Sequence, residues 1–364
     1  MHRATPALLR ATRYAPRASR RQASSALFSG GFELPVVTQL KDTMRAPSDY
    51  AKWPVFRMID LEGKRLPGTP EPSANLDEAT CRKMMETMIR LNQMDTVLYA
   101  AQRQGRITFY CTHFGEEAAS VASAAAYDDN DMIMSQYREA GALMYVAPSP
   151  PLRGLVRCER EPRAHHHHPP LAAPRYRGHP LHKFVDQCRS NVDCNTKGRQ
   201  MPVHYGSAAL NFVTISTPLS TQVPQAAGIG LAYKLAKQDN VCVCYFAEGA
   251  ASEGDFHAGL NFASVLDVPV LFIVRNNGWA ISTPSVEGFG GDGIVPRCQG
   301  YGMAGARVDG NDALAIFNVR RAPGRVHSTA RARSPHKSIS ALSQLDSRRR
   351  WRRAASIASR RARR

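Results

Sequence analysis

The sequence predicts an α/β fold, an open and mainly parallel sheet flanked by helices, and three observations carry that prediction. VCVCYF (Val241–Phe246) is a short apolar run, rich in valine and aromatic residues, that ends at a glycine-containing turn as a buried strand does. A helical stretch follows from about Glu253 to Leu266. Pro269 then introduces a second apolar run, VLFIV (Val270–Val274), which ends in Arg275-Asn276-Asn277. Strand, crossover helix and strand make a βαβ unit, so the strands lie parallel with a right-handed connection and finish at the same edge of the sheet.

The remaining elements are read in chain order. Leu76 to about Gln104 is a long helical pattern with Met84, Met88, Leu91 and Val97 at helical spacings, its methionines serving as core filler. Gln222 to Lys237, after Pro218, is a helix whose alanines and glycines imply close approach to a sheet or another helix. The eight cysteines show no metal-ligand spacing; Cys242 and Cys244 share one face of a strand and read as buried thiols in a reducing compartment. No apolar run approaches the roughly 20 residues that cross a bilayer. With 364 residues, 43% of them hydrophobic, the chain can build one large domain or two smaller ones.

Charge divides the chain further. The net charge is +18, yet residues 1–30 (+6), 146–180 (+4) and 319–364 (+14) carry +24 between them, which leaves −6 for the rest. A nucleic-acid-binding face is basic within the folded unit, so that function is not expected, nor is a membrane one. Residues 1–30, with six arginines and no acid among Ser and Ala, fit a mitochondrial transit peptide, with an ordinary basic tail as the alternative. Residues 31–75 read as an N-terminal extension and 76–318 as the folded domain. Residues 146–180, with PSPP, His165–His168 and PPLAAP, read as a low-complexity insertion rather than a metal site. Residues 319–364 form an arginine-rich tail that cannot bury enough surface to fold alone and is expected to be disordered.

Open α/β sheets bind ligands in the crevice outside the carboxyl edge of the strands. Glu248 and Asn277 leave the two strands there, and a carboxylate with an amide oxygen suits a hard cation such as Mg²⁺. Gly249 and Ala250 leave room for a ligand beside the backbone, and free amides at the next helix start favour an anion. Mg²⁺ with a diphosphate meets both demands.

Ala247-Glu248-Gly249 followed at a distance by Asn276-Asn277 resembles the thiamine diphosphate signature, Gly-Asp/Glu-Gly then Asn-Asn. With PVFRMIDLEGKRLPG, QGRITFYCTHFGEEAA, SQYREAG, KGRQMPVHYG, FVTISTPLSTQ and EGAASEGDFHAGLNFA, the chain closely resembles the E1α subunits of branched-chain 2-oxo acid dehydrogenase complexes over roughly Leu34–Tyr145 and Leu181–Asn318. The resemblance implies the thiamine diphosphate-binding fold, with its C-terminal part missing or replaced. It implies Mg²⁺ on the side chains of Glu248 and Asn277 and the backbone carbonyl of Trp279, where the family usually has Tyr. Gly249, Ala250 and Arg275 would hold the diphosphate, Arg275 by charge. Tyr137, Arg138, Thr217 and Leu219 would line the rest of the cofactor site, with Gln136 facing the substrate pocket. Ser216, Pro218, Thr221 and Gln222 resemble the family's K⁺ site; from the residues alone a helix N-cap before Gln222 is an equal alternative.

The activity implied is oxidative decarboxylation of branched-chain 2-oxo acids in the mitochondrial matrix, with acyl transfer to a lipoyl-bearing E2. The activating glutamate would come from a β subunit in an α2β2 heterotetramer. The alternatives are a pyruvate-type E1α, disfavoured by QGRITFYCTHFGEEA and KGRQMPVHYG, and a non-catalytic remnant or basic binding protein. GFGGDG (Gly288–Gly293) reads as a glycine-rich loop, since it follows ISTPSVE rather than a strand. His327-Ser328-Thr329 lacks the flanks of the family's histidine loop, which is expected to be absent along with its catalytic histidine. The 146–180 and 319–364 segments read as translated intron or shifted frame. Ala247, standing for the signature's first glycine, matters only where that position needs a positive φ.

Overall fold

The computed structural model describes residues 50–73, 76–146 and 179–321, with three further strands at 26–29, 32–35 and 341–346. The chain divides into two compact units, residues 1–51 and 52–364. In the first, β1 (Ala26–Ser29) and β2 (Phe32–Pro35) pair antiparallel, with Leu27 opposite Leu34. The rest of the expected transit peptide lies outside the described residues.

In the second unit, α1 (Glu78–Arg103) starts where the Asp77 carboxylate accepts the Thr80 N–H at 2.7 Å, satisfying a donor the helix cannot. It buries Met84, Thr87, Leu91, Met94, Asp95 and Leu98 as one stripe. Met88 is half-buried, and Val97, at a helical spacing from the others, is 66% exposed because it falls off that stripe. Next come α2 (Glu117–Ala124), β3 (Met132–Met134), α3 (Ala140–Val146), α4 (Leu181–Cys188) and α5 (Gln222–Leu235). Then β4 (Cys242–Ala247), α6 (Gly254–Val265) and β5 (Val270–Asn276) form the expected βαβ unit. Each strand runs further than its apolar letters suggested, so that Ala247, Arg275 and Asn276 are strand residues. A small antiparallel pair, β6 (Trp279–Ala280) with β7 (Thr283–Pro284), leads through α7 (Ser285–Gly288) and α8 (Arg297–Gly300) to β8 (Ala304–Asp309) and α9 (Ala313–Arg321).

β9 (Ala341–Asp346), the final strand among the described residues, corrects an expectation. It lies within the segment read as unable to fold, and it pairs on one side with β5 and on the other with β8. The averaged composition of 319–364 hid it, since ALSQLD contains no arginine. The sheet is thus ordered β3-β4-β5-β9-β8 with every pair parallel. Residues 322–340, which include His327–Thr329, and residues 147–178, which hold the histidine run, lie outside the described residues.

Helices cover both faces. Val243, Tyr245 and Ile273 face a core built with α1, α2, α3 and α9, whereas Cys242, Cys244, Phe246 and Phe272 face α5 and α6. Both cysteines are fully buried, as expected. The small residues of α5 have the predicted cause. A Cβ on Gly230 would lie 2.6 Å from Val270 Cγ2, and one on Gly259 of α6 would lie 2.7 Å from Pro224 N of α5. The GFGGDG stretch starts at the last residue of α7 and continues as a loop in which Gly291 and Gly293 take φ of +86°. Its Asp292 meets Arg307 at 3.1 Å and accepts the Trp53 N–H at 2.5 Å, so it serves the fold. No helix among the described residues is long and apolar enough to cross a membrane.

Candidate functional site

The site forms where β3, β4 and β5 end side by side. Ala247 pairs with Arg275 at the carboxyl end of the β4–β5 ladder, so Glu248 and Asn277 leave at the same edge. Ala247 is absent from the positive-φ positions, so its methyl group costs nothing there. Glu248 is 1% exposed, and neither carboxylate oxygen has a hydrogen-bond partner among the described residues. Burial raises its pKa, with the Arg275 charge opposing. A buried carboxylate in this state needs a proton or a cation.

Arg275 is the second centre, 2% exposed. Its Nη1 lies 2.7 Å from Glu116 Oε2, and its Nε donates to Glu139 Oε1 at 2.9 Å. The family resemblance implies a diphosphate partner for this charge; two carboxylates already counter it, and Nη2 remains a buried donor with no partner among the described residues. Asn277 Nδ2 donates to Glu116 Oε1 at 2.5 Å, and its Oδ1 accepts the Trp279 N–H at 2.9 Å. Gln136, after β3, accepts the Ala247 N–H on Oε1 at 2.8 Å and donates its backbone N–H to Glu139 Oε2 at 2.8 Å. Side chains from well-separated parts of the chain are therefore linked into one buried network around Glu248.

Glu116 and Glu139 went unassigned in the sequence, although HFGEEAA and SQYREAG contain them. The signal was an acid among small and apolar residues that turn out to be buried. Glu116 sits on a turn anchored to α1: its N–H donates to the His113 carbonyl at 2.9 Å. Asp95 in turn accepts the His113 N–H at 2.5 Å and the Tyr110 hydroxyl at 2.8 Å, and meets His113 Nδ1 at 2.8 Å. Arg138 donates to the Thr112 carbonyl of the same turn. Tyr137 is partly buried, which raises its pKa, with Arg275 and Arg138 opposing.

Gly249 does not leave room for a ligand in the expected sense. A Cβ there would lie 2.7 Å from Ala280 Cβ, so the missing side chain admits β6; Ala250 is fully buried in the core. Trp279 is 56% exposed and presents its ring outward.

The segment 216–222 forms a second group at the start of α5. Thr221 makes no side-chain cap; its hydroxyl turns back to donate to the Pro218 carbonyl at 3.3 Å, which removes the N-cap reading. Gln222 Nε2 donates to the Tyr245 carbonyl of β4 at 3.1 Å. Thr217 Oγ1 lies 3.0 Å from His204 Nε2, while His204 Nδ1 meets the Pro202 carbonyl at 2.9 Å. Leu219 packs against the core on the α5–α6 side. Between them, Ser220 takes φ +68° and is fully buried, with a hydroxyl that has no partner among the described residues.

Comparison with known proteins fits this arrangement. The dehydrogenase E1 component family model matches residues 84–155 and 163–332, which extends past Asn318 and into the expected insertion. The chain is 46% identical over 268 residues to the mitochondrial 2-oxoisovalerate dehydrogenase subunit alpha of Bos taurus, covering 74% of this chain and 52% of that one. The Caenorhabditis elegans protein of the same name is 45% identical over 279 residues, 76% of this chain and 57% of that one. Subunit alpha 1 of Arabidopsis thaliana is 44% identical over 268 residues, 74% and 50%. The chain spans about half the length of the curated relatives it matches. With the family model matched across both flanks of the site, the chain belongs to the dehydrogenase E1 component family.

Proposed function

We propose that this chain is the α subunit of a mitochondrial branched-chain 2-oxo acid dehydrogenase E1, dependent on thiamine diphosphate and Mg²⁺. The observation that carries the reading is Glu248, a fully buried carboxylate whose oxygens have no side-chain hydrogen-bond partner among the described residues, at the carboxyl edge of a parallel sheet, in a chain of this family. Among the described residues no three His, Cys, Asp or Glu side chains form a metal-ligand group. A cation on Glu248 therefore takes its other ligands from amide, carbonyl and water oxygens, which suits Mg²⁺.

Glu248, Asn277 and the Trp279 carbonyl would hold the cation, and the backbone at Gly249 and Ala250 with Arg275 Nη2 would meet the diphosphate. When bound, thiamine diphosphate would supply a carbanion as the nucleophile for the ketone of a 2-oxo acid and its positively charged thiazolium ring as the sink for the electron pair released with CO₂. The chain's own residues hold and shield. Glu139 and Glu116 fix Arg275 so that Nη2 stays oriented. Gln136, locked by its Oε1 bond to Ala247, keeps Nε2 as a buried donor for an acceptor on the substrate. Tyr137, Arg138, Thr217 and Leu219 line the remaining wall. Ser216, Pro218, Thr221 and Gln222 would hold K⁺, a reading supported by the close approach of Thr221 Oγ1 and the Pro218 carbonyl. A β subunit would close the site, and a lipoyl-bearing E2 would receive the acyl group.

The full chain co-expressed with a β subunit tests this directly. Decarboxylation of 3-methyl-2-oxobutanoate in preference to pyruvate, dependent on Mg²⁺ and thiamine diphosphate, is the expected result. A preference for pyruvate, or no cofactor binding, overturns it.

A further inference from the structure

The side-chain amide of Asn277 lies between two partners of fixed polarity. The Trp279 backbone N–H can only donate, and Asn277 Oδ1 accepts it at 2.9 Å. The Glu116 carboxylate, ion-paired with Arg275, can only accept, and Asn277 Nδ2 donates to it at 2.5 Å. These two partners permit one orientation of the amide. Glu116 is 2% exposed and is held by its turn, by Arg275 and, through His113, by the buried Asp95 of α1.

Resting on the reading above, we propose that Glu116 is a positioning residue of the divalent-cation site, which holds the Asn277 amide so that Oδ1 rather than Nδ2 is offered as a ligand. An amide oxygen that accepts one hydrogen bond keeps a second lone pair for a cation. Turned over, the same amide would aim two N–H groups at the cation and repel it. Glu116 thus stands behind one cation ligand in the way that carboxylates stand behind ligating histidines, outside the ligand shell but setting its polarity.

The test measures Mn²⁺, standing in for Mg²⁺, by electron paramagnetic resonance in the presence of thiamine diphosphate, on the full chain assembled with its β subunit. Glu116→Gln leaves the amide free to turn, and the Mn²⁺ dissociation constant should rise about tenfold or more. Asn277→Asp alone sets carboxylate against carboxylate and should also weaken binding. The double variant E116Q/N277D exchanges donor and acceptor across the same contact, the introduced amide donating to the introduced carboxylate. It should return the constant to within about threefold of the original. A purely structural role for Glu116 predicts no such rescue. Wild-type affinity in E116Q overturns the proposal, as does a double variant that is as weak as the two singles combined or that fails to assemble. If the unsubstituted complex binds no Mn²⁺, the functional reading falls as well; if it binds and E116Q binds equally, this inference alone fails.

Discussion

Arg275 Nε donates to Glu139 Oε1 at 2.9 Å, joining the carboxyl end of β5 to the loop after β3. Both side chains are almost wholly buried, so the pair is screened little by water. Removing one partner strands the other charge in the interior. Arg275→Met is expected to destabilise the chain by ~3–5 kcal/mol, measured as the loss in urea midpoint. The same substitution paired with Glu139→Gln should cost less than the sum of the two. Strict additivity would show that the ion pair is not what holds these ends together.

Glu248 gives a prediction of opposite sign. Its pKa is raised by burial, so the folded state holds its proton more tightly than the unfolded state does. The stability this contributes is present below the ordinary carboxylate pKa and is lost as pH rises through the folded value. At neutral pH without a cation, the ionised group is a burden on the fold. Glu248→Gln should therefore melt at the same or a higher temperature than the unsubstituted chain in a chelator. Added Mg²⁺ with thiamine diphosphate should raise the melting temperature of the original and leave the variant unmoved. A variant that loses stability in chelator would contradict a carboxylate whose burial costs the fold more than its contacts return.

His179 titrates in the other direction. It is packed edge-on against Phe184 at 4.7 Å, its Nε2 has no partner among the described residues, and burial lowers its pKa to about 4, with Lys183 and His182 adding to the effect. The unfolded chain protonates this ring first, near pH 6.5, so stability is full above that pH and falls as the solution is acidified toward pH 4. The slope approaches roughly 1.4 kcal/mol per pH unit within that window. His179→Phe should flatten the difference in stability between pH 7 and pH 4.5. An unchanged slope would place the titration elsewhere.

The α5–α6 contact predicts a packing defect. A methyl group on Gly259 would meet the backbone of Pro224, which cannot swing aside as a side-chain tip would. Gly259→Ala is expected to cost ~1–3 kcal/mol through helix displacement, against a few tenths for Gly288→Ala, where a Cβ meets open space. Thermal melts of the two variants side by side would check it.

The βαβ unit and the carboxyl-edge site were legible because their signals are local: an apolar run, a glycine turn, a helix, and two polar residues placed by strand ends. The site's interior was not. Glu116, Glu139 and Arg275 come from segments whose separation along the chain is set by connections that no periodicity encodes, and an acid looks the same in a sequence whether it is solvated or locked on an arginine. Val97 shows a related limit, because helical spacing defines a stripe but not which residues at its margin tip outward. The potassium-site segment was read as an ambiguity between ion site and N-cap; the backward-turned hydroxyl of Thr221, a matter of one side-chain rotation, decides against the cap. β9 was lost by averaging charge over a segment in which residues 334–347, which contain the strand, carry no arginine.

The place of β9 in the sheet bears on how the molecule is made. Synthesis proceeds from the N-terminus, so β3, β4 and β5 leave the ribosome with their helices well before residues 341–346, and β8 emerges while the slot it must share is still empty. Until the last strand arrives, β5 presents an open edge of backbone donors and acceptors, the kind of surface that chaperones bind and that stray strands extend. A nascent chain paused before residue 341 thus exposes a gap one strand wide between β5 and β8.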